Sequence, residues 1–194
     1  MYDKAVKAES SPGGMVHVYT GNGKGKTSAA VGLAFRALGW GKRVFLIQFM
    51  KKGKDLGEIK AARRFNKFKI LQTGPVRAKI SNGAGRKRWA TRDTVCLKDK
   101  QLAQEGLGAA QKAIRSKKYD LIILDELNVA LDFGLLQVQQ VKEILKNRPK
   151  SVEIVITGRC AHPEILEIAD LVSEIRELKH YYKKGIPARA GIEY

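Results

Sequence analysis

A chain of 194 residues, 44% hydrophobic and 29% charged, is long enough to bury a sizeable core and is expected to form one domain over residues 15–194 behind a flexible arm at 1–14. It holds no apolar run of about 18 residues and no leader pattern, so neither a membrane span nor export is indicated and a cytoplasmic location is expected. Cys96 and Cys160 stand far apart without a CxxC spacing, which argues against a disulfide framework or a structural zinc site, so two free thiols are expected.

The net charge of +18 is uneven. Residues 51–118 carry 20 basic and 5 acidic side chains, whereas 1–50 carry 7 and 2 and 119–194 carry 10 and 12. Such a basic middle can grip nucleic acid, attract a small polyanionic substrate or form a solvated lysine-rich face.

In chain order, Ser10 to Gly14 read as the end of a mobile arm. Val16 and Val18 then alternate with His17 and Tyr19 as a strand should. Gly21, Gly23 and Gly25 allow a tight turn with inward N–H groups, Lys26 adds a positive charge and Thr27 a hydroxyl able to bind Mg²⁺. A helix opening near Thr27 aims its positive dipole end at an anion. This is a phosphate-binding loop of variant form, because Thr20 stands where glycine is usual. The helix from Ser28 to Leu38 should bury Val31, Leu33, Ala34, Phe35 and Leu38 on a broad face and stop at Gly39 and Gly41.

Arg43 to Met50 reads as a strand covered on both faces, with Gln48 and Lys51 at its C-terminal, ligand-side end. A short basic helix over Asp55 to Phe65 and a strand at Phe68 to Leu71 follow, closed by Gly74 and Pro75. Residues 76–98 read as a long loop with a basic run, Arg86, Lys87 and Arg88, before Trp89; that ring is a candidate to stack on a base or flat cofactor, or to anchor the loop on the core.

Lys100 to Ser116 reads as a helix and Tyr119 to Asp125 as a buried strand ending in two acids, Asp125 and Glu126. In phosphate-loop proteins an acid at that place helps to hold Mg²⁺, and the alternative is a helix cap. A helix over Val138 to Leu145 and a strand over Val152 to Thr157 lead to Arg159, a candidate phosphate clamp on the ligand side. Cys160 and His162 read as loop positions rather than metal ligands. A helix over Pro163 to Ala169, a mixed strand over Leu171 to Leu178 and an irregular tail complete the chain. Alternating strands and helices of this kind predict an α/β, three-layer P-loop (RecA-like) fold with a mostly parallel central sheet.

The loop TGNGKGKTSAA at Thr20 to Ala30 resembles the P-loop type of ATP:corrinoid adenosyltransferase. LDELNVALDFGLL at Leu124 to Leu136, NRP at Asn147 to Pro149, ITGR at Ile156 to Arg159, ADLVSEIRELKH and the terminal GIPARAGIEY extend the resemblance from about Val16 to Tyr194. It implies transfer of the 5′-deoxyadenosyl group of ATP to the cobalt of a reduced corrinoid such as cob(I)alamin, with release of triphosphate, in synthesis or salvage.

By resemblance, Gly21, Asn22, Gly23, Lys24, Gly25, Lys26, Thr27 and Ser28 would bind the triphosphate, joined by Arg36 and Arg159. Thr27 and Glu126 would stand around Mg²⁺ with Asp125 nearby, and Lys26, Thr27 and Glu126 would carry the catalytic roles. No general base is required, since the corrinoid supplies the nucleophile. Gln48, Trp89 and His180 are the corrinoid-side candidates. The resemblance also implies a homodimer, an electron-donating flavoprotein and bulky apolar residues that exclude the lower axial ligand. Family members carry two aromatics soon after the Thr-Gly matching Thr73-Gly74; here Pro75, Val76 and Arg77 stand there, and Trp89 is the candidate replacement. The competing reading from the basic middle is a nucleic-acid-binding P-loop ATPase, which gives GIPARAGIEY no role.

Overall fold

Short apolar runs separated by helical stretches assemble here into one parallel sheet. The computed structural model describes residues 13–74 and 95–194. Six strands, β1 Val16–Thr20, β2 Val44–Phe49, β3 Phe68–Thr73, β4 Leu121–Asp125, β5 Glu153–Thr157 and β6 Leu171–Glu174, are ordered β3-β2-β4-β5-β1-β6. Every pairing is parallel. All strands therefore end on one edge, where open α/β sheets place their ligands.

The sheet lies between two helical layers. On β4, Ile122 and Leu124 join the core beneath α3 Leu97–Ser116, α4 Leu127–Asp132, α5 Val138–Lys146 and α6 Pro163–Leu166, while Leu121 and Ile123 join the core beneath α1 Lys26–Gly39 and α2 Gly57–Ala62. That two-sided burial explains why β4 and β5 read as unbroken apolar runs instead of alternating ones. β5 separates β1, which carries the phosphate loop, from β4, which carries the paired acids. The expected three-layer RecA-like architecture is the one observed.

Several expectations need correction. Phe35 is 68% exposed, and only Lys26, Ala30 and Ala34 of α1 are buried. The Phe35 ring instead meets Phe65 edge-on at 6.3 Å, covering the outside of the helical layer. A helix not foreseen, α4, follows Glu126 directly. β6 ends at Glu174 rather than Leu178 and is exposed along its length as the sheet's edge. The irregular tail contains one 3-10 turn, Tyr181–Lys184. The expected arm lies outside the described residues except for Gly13 and Gly14, as do Trp89 and the basic run beside it.

Candidate nucleotide and metal site

The phosphate loop begins where β1 ends. Thr20 is the last strand residue, paired with Glu174, and Gly21 takes φ +94°, a conformation that disfavours any side chain. A Cβ on Gly23 would stand 2.7 Å from the backbone carbon of Arg176, so the loop lies flat on residues 175–176. The Gly23 amide donates to the Ile175 carbonyl at 2.8 Å. α1 starts at Lys26 with Gly25 as its cap and no side chain capping it, so its first amides are left to an anion.

Lys26 is 8% exposed and donates to the Gly21 carbonyl at 2.7 Å and the Gly23 carbonyl at 2.6 Å. Burial, then repulsion from Arg159, lowers its pKa against the pull of Glu126. A buried ammonium short of an anionic partner is what a phosphate would complete.

Asp125 is wholly buried, and both its oxygens are occupied. Oδ1 accepts from Thr27 Oγ1 at 2.8 Å and Thr157 Oγ1 at 2.6 Å; Oδ2 accepts from Lys51 Nζ at 2.7 Å and Gln48 Nε2 at 3.3 Å. Burial alone would push this carboxyl up, but the charge and hydrogen bond of Lys51 and the two threonine hydroxyls outweigh it and hold it below the usual range. Glu126 moves the other way. Burial and the neighbouring Asp125 raise its pKa against the attraction of Lys51. Its backbone sits at φ +62°, a left-handed conformation uncommon for a side-chain-bearing residue, and its amide donates to Thr157 Oγ1 at 3.0 Å. Met50 after β2 and Cys160 after β5 share this conformation, at φ +57° and +53°, so three strand ends turn sharply at the same edge.

Among the described residues no group of three or more His, Cys, Asp and Glu could hold a metal ion. The donor set Thr27, Asp125 and Glu126 nevertheless fits Mg²⁺, which commonly takes one or two carboxylates and completes its shell with substrate phosphates and water. A cation already stands among these donors: Lys51 Nζ is 2.7 Å from Asp125, 3.2 Å from Thr27 Oγ1 and 3.8 Å from Glu126 Oε1.

Other expected site residues fall into two groups. Arg159 is exposed, and its charge acts on both Lys26 and Glu126, so it stands at the site. Asn22 and Ser28 are exposed beside the loop. Arg36, in contrast, lies in the last turn of α1, about 15 Å along the axis from Lys26, where its charge acts on Tyr19 of β1. Lys24 turns outward: it donates to Tyr181 Oη at 2.8 Å, the Ile192 carbonyl at 3.4 Å and Glu193 Oε1 at 2.7 Å.

Gln48 is not an open contact. It is fully buried, donating to Glu58 Oε1 at 2.9 Å and accepting from Gln72 Nε2 at 2.9 Å. His180 is half-buried and uses Nδ1 to accept from the Tyr182 amide, shaping the 3-10 turn. His162 accepts from the Glu164 amide as the cap of α6, in keeping with its reading as a loop position. Sequence reasoning missed Thr157, Glu193 and the part played by Lys51. Thr157 carries no signal of its own, because its strand is placed between β1 and β4 only by the order of the sheet.

A family profile described as ATP:corrinoid adenosyltransferase BtuR/CobO/CobP matches residues 12–194. The corrinoid adenosyltransferase of Escherichia coli (strain K12) is 34% identical over 193 residues, spanning 99% of this chain and 91% of the relative. That of Pseudomonas aeruginosa (strain PAO1) is 34% identical over 195 residues, spanning 99% and 89%. Among solved structures, the KaiC-like protein of Pyrococcus horikoshii OT3 superposes with a TM-score of 0.52 at 16% identity, covering 85% of this chain and 72% of that one, a likeness of fold alone.

Proposed function

The chain belongs to the ATP:corrinoid adenosyltransferase family, and from that membership we propose which of its residues do the work. The activity is transfer of the 5′-deoxyadenosyl group of ATP to the cobalt of a reduced corrinoid, with triphosphate as leaving group. The protein's task is to hold the triphosphate with the ribose 5′ carbon facing the corrinoid and to neutralise the charge that builds on the departing phosphates. In this reading Lys26 leaves the Gly21 and Gly23 carbonyls for phosphate oxygens, the first amides of α1 take others, and Arg159 adds a positive charge from the bend after β5. Thr27 and Glu126 hold Mg²⁺, which when bound supplies further neutralisation, while Asp125 orients Thr27 through the 2.8 Å bond.

The observation carrying this assignment is that loop, hydroxyl and paired acids, separated by about a hundred residues of sequence, meet at one sheet edge. Anaerobic mixing with ATP, Mg²⁺ and chemically reduced cob(I)alamin tests it: the light-sensitive adenosyl product should appear with triphosphate, one for one. Orthophosphate release stimulated by nucleic acid would instead favour the P-loop ATPase reading.

We extend the proposal to one folded domain behind a short arm, a homodimer, a cytoplasmic location and a flavoprotein electron donor. Sedimentation tests the dimer, and turnover starting from cob(II)alamin with a reduced flavoprotein tests the donor. Among the described residues no helix is long and apolar enough to cross a membrane.

A further inference from the structure

We propose that Lys51 is the resident counter-cation of the magnesium pocket, a positioning residue whose ammonium must be displaced before metal enters, so that metal and nucleotide bind together and metal alone binds weakly. The proposal rests on the metal assignment above. It is carried by the geometry: the side chain reaches the hydroxyl and the carboxylate assigned to the metal, Thr27 Oγ1 at 3.2 Å and Glu126 Oε1 at 3.8 Å, and also Asp125, which orients that hydroxyl, at 2.7 Å. Mg²⁺ needs oxygens at about 2.0–2.1 Å. An ammonium hydrogen-bonded to the Thr27 hydroxyl and ion-paired with Glu126 opposes its entry by contact and by like charge.

The setting indicates a side chain that can leave while its backbone stays. Met50 is fixed at φ +57°, and Gly74 packs so closely on the Met50–Lys51 backbone that a Cβ there would collide with it. The Gly53 amide, two residues on, is held by Gln72 Oε1 at 3.0 Å. The Lys51 side chain, however, is 27% exposed, whereas its acid partner is closed off from water.

Without nucleotide, the buried Asp125 and the half-buried Glu126 beside it would repel each other, and Lys51 offsets that repulsion. Mg²⁺ arriving alone gains the Glu126 carboxylate and the Thr27 hydroxyl but must expel the cation beside them. Mg²⁺ arriving with ATP adds phosphate ligands and gives the expelled ammonium a new anion. Lys51 thereby couples the two affinities, and coupling of this kind typically amounts to about 5–150-fold.

The test is Mn²⁺ binding followed by electron paramagnetic resonance, with and without a non-reacting ATP analogue, on the full chain. Wild type should bind Mn²⁺ weakly alone and tightly with the analogue. Lys51→Met should bind Mn²⁺ alone roughly tenfold or more tightly than wild type, with the metal–nucleotide coupling reduced to match. Lys51→Arg, which keeps the charge, should behave like wild type. Lys51→Gln carries the same expectation as Lys51→Met should the latter fail to fold.

Unchanged nucleotide-free Mn²⁺ affinity in both uncharged variants, with wild type still binding Mn²⁺ beside the analogue, overturns the role of Lys51 and leaves the metal site standing. Absence of Mn²⁺ binding even with the analogue overturns the metal assignment and this inference together.

Discussion

On the inner side of the phosphate loop Lys51 meets Asp125 at 2.7 Å, with the acid fully shielded; on the outer side Lys24 meets Glu193 at the same 2.7 Å, with the lysine 37% exposed. Each acid also accepts from hydroxyls or further cations: Asp125 from Thr27 and Thr157, Glu193 from Tyr181 and Arg189. Both carboxyls are held below the usual range, Glu193 by its hydrogen bonds from Arg189, Lys24 and Tyr181. Equal distances nevertheless carry unequal consequences. Removing one partner of a buried pair leaves a charge that water cannot reach, whereas a surface pair is replaced by hydration and screened by salt. The inner cluster holds charge at the sheet edge where we place metal and phosphates, and the outer one fastens the C-terminal tail to the loop.

The largest test of that contrast is Asp125→Ala, which takes from Lys51 its nearest counter-charge, leaving the more distant Glu126, and frees Thr27 and Thr157. It should cost about 3–5 kcal/mol of stability in guanidinium denaturation and abolish turnover; a cost no greater than that of Glu193→Ala would break the comparison. Next comes Lys26→Ala, which belongs to neither pair. It should leave the denaturation midpoint nearly unchanged yet lower kcat/KM for ATP by at least about 100-fold, separating residues that hold the edge together from those that hold the phosphates. Smaller again is Lys24→Ala. It loosens the tail and should raise KM for ATP only a few-fold; the defect should shrink in about 0.5 M salt, where the wild-type pair is itself screened. A Lys24→Ala loss as deep as that of Lys26→Ala would mean that Lys24 contacts the phosphates directly.

The two sides were unequally legible. The inner edge announces itself because each part is local: a glycine loop after a strand, and two acids after an apolar run. What joins them is not local. Thr157 lies 32 residues from Asp125, and nothing in VEIVIT marks its hydroxyl as the bond that fixes that acid. Gln48 read as an open strand-end contact because polarity alone does not distinguish a ligand from a buried amide with three partners. The outer clamp was opaque, since Lys24 and Glu193 are 169 residues apart and meet only because the edge strand β6 returns beside β1. α4 went unread because its cap, Glu126, is left-handed and makes no side-chain capping bond, so no start signal stands before it. Phe35 misled for a different reason: helical periodicity ranks it with the core, but its cover is Phe65 on the outer surface.

The smallest expected effect sharpens the same contrast at the opposite edge of the sheet. Arg43 donates to Asp120 from its amide at 2.8 Å, from Nε at 3.0 Å and from Nη2 at 2.8 Å, tying the start of β2 to the residue before β4. The side-chain hydrogen bonds of Arg43, opposed by partial burial and aided by the backbone bond and the positive charge, lower the Asp120 carboxyl from 3.8 to about 2. Between those values the unfolded chain binds the proton that the native chain refuses, so the pair's contribution is full above about pH 4 and fades as pH falls towards 2. With Arg43 49% and Asp120 31% exposed, solvent screening leaves that contribution below about 1 kcal/mol. Asp120→Asn should therefore lower the urea midpoint slightly at pH 7, and the gap from wild type should narrow steadily from pH 4 downward. A gap that stays constant with pH would show that the bidentate geometry at Asp120 contributes packing and no proton linkage.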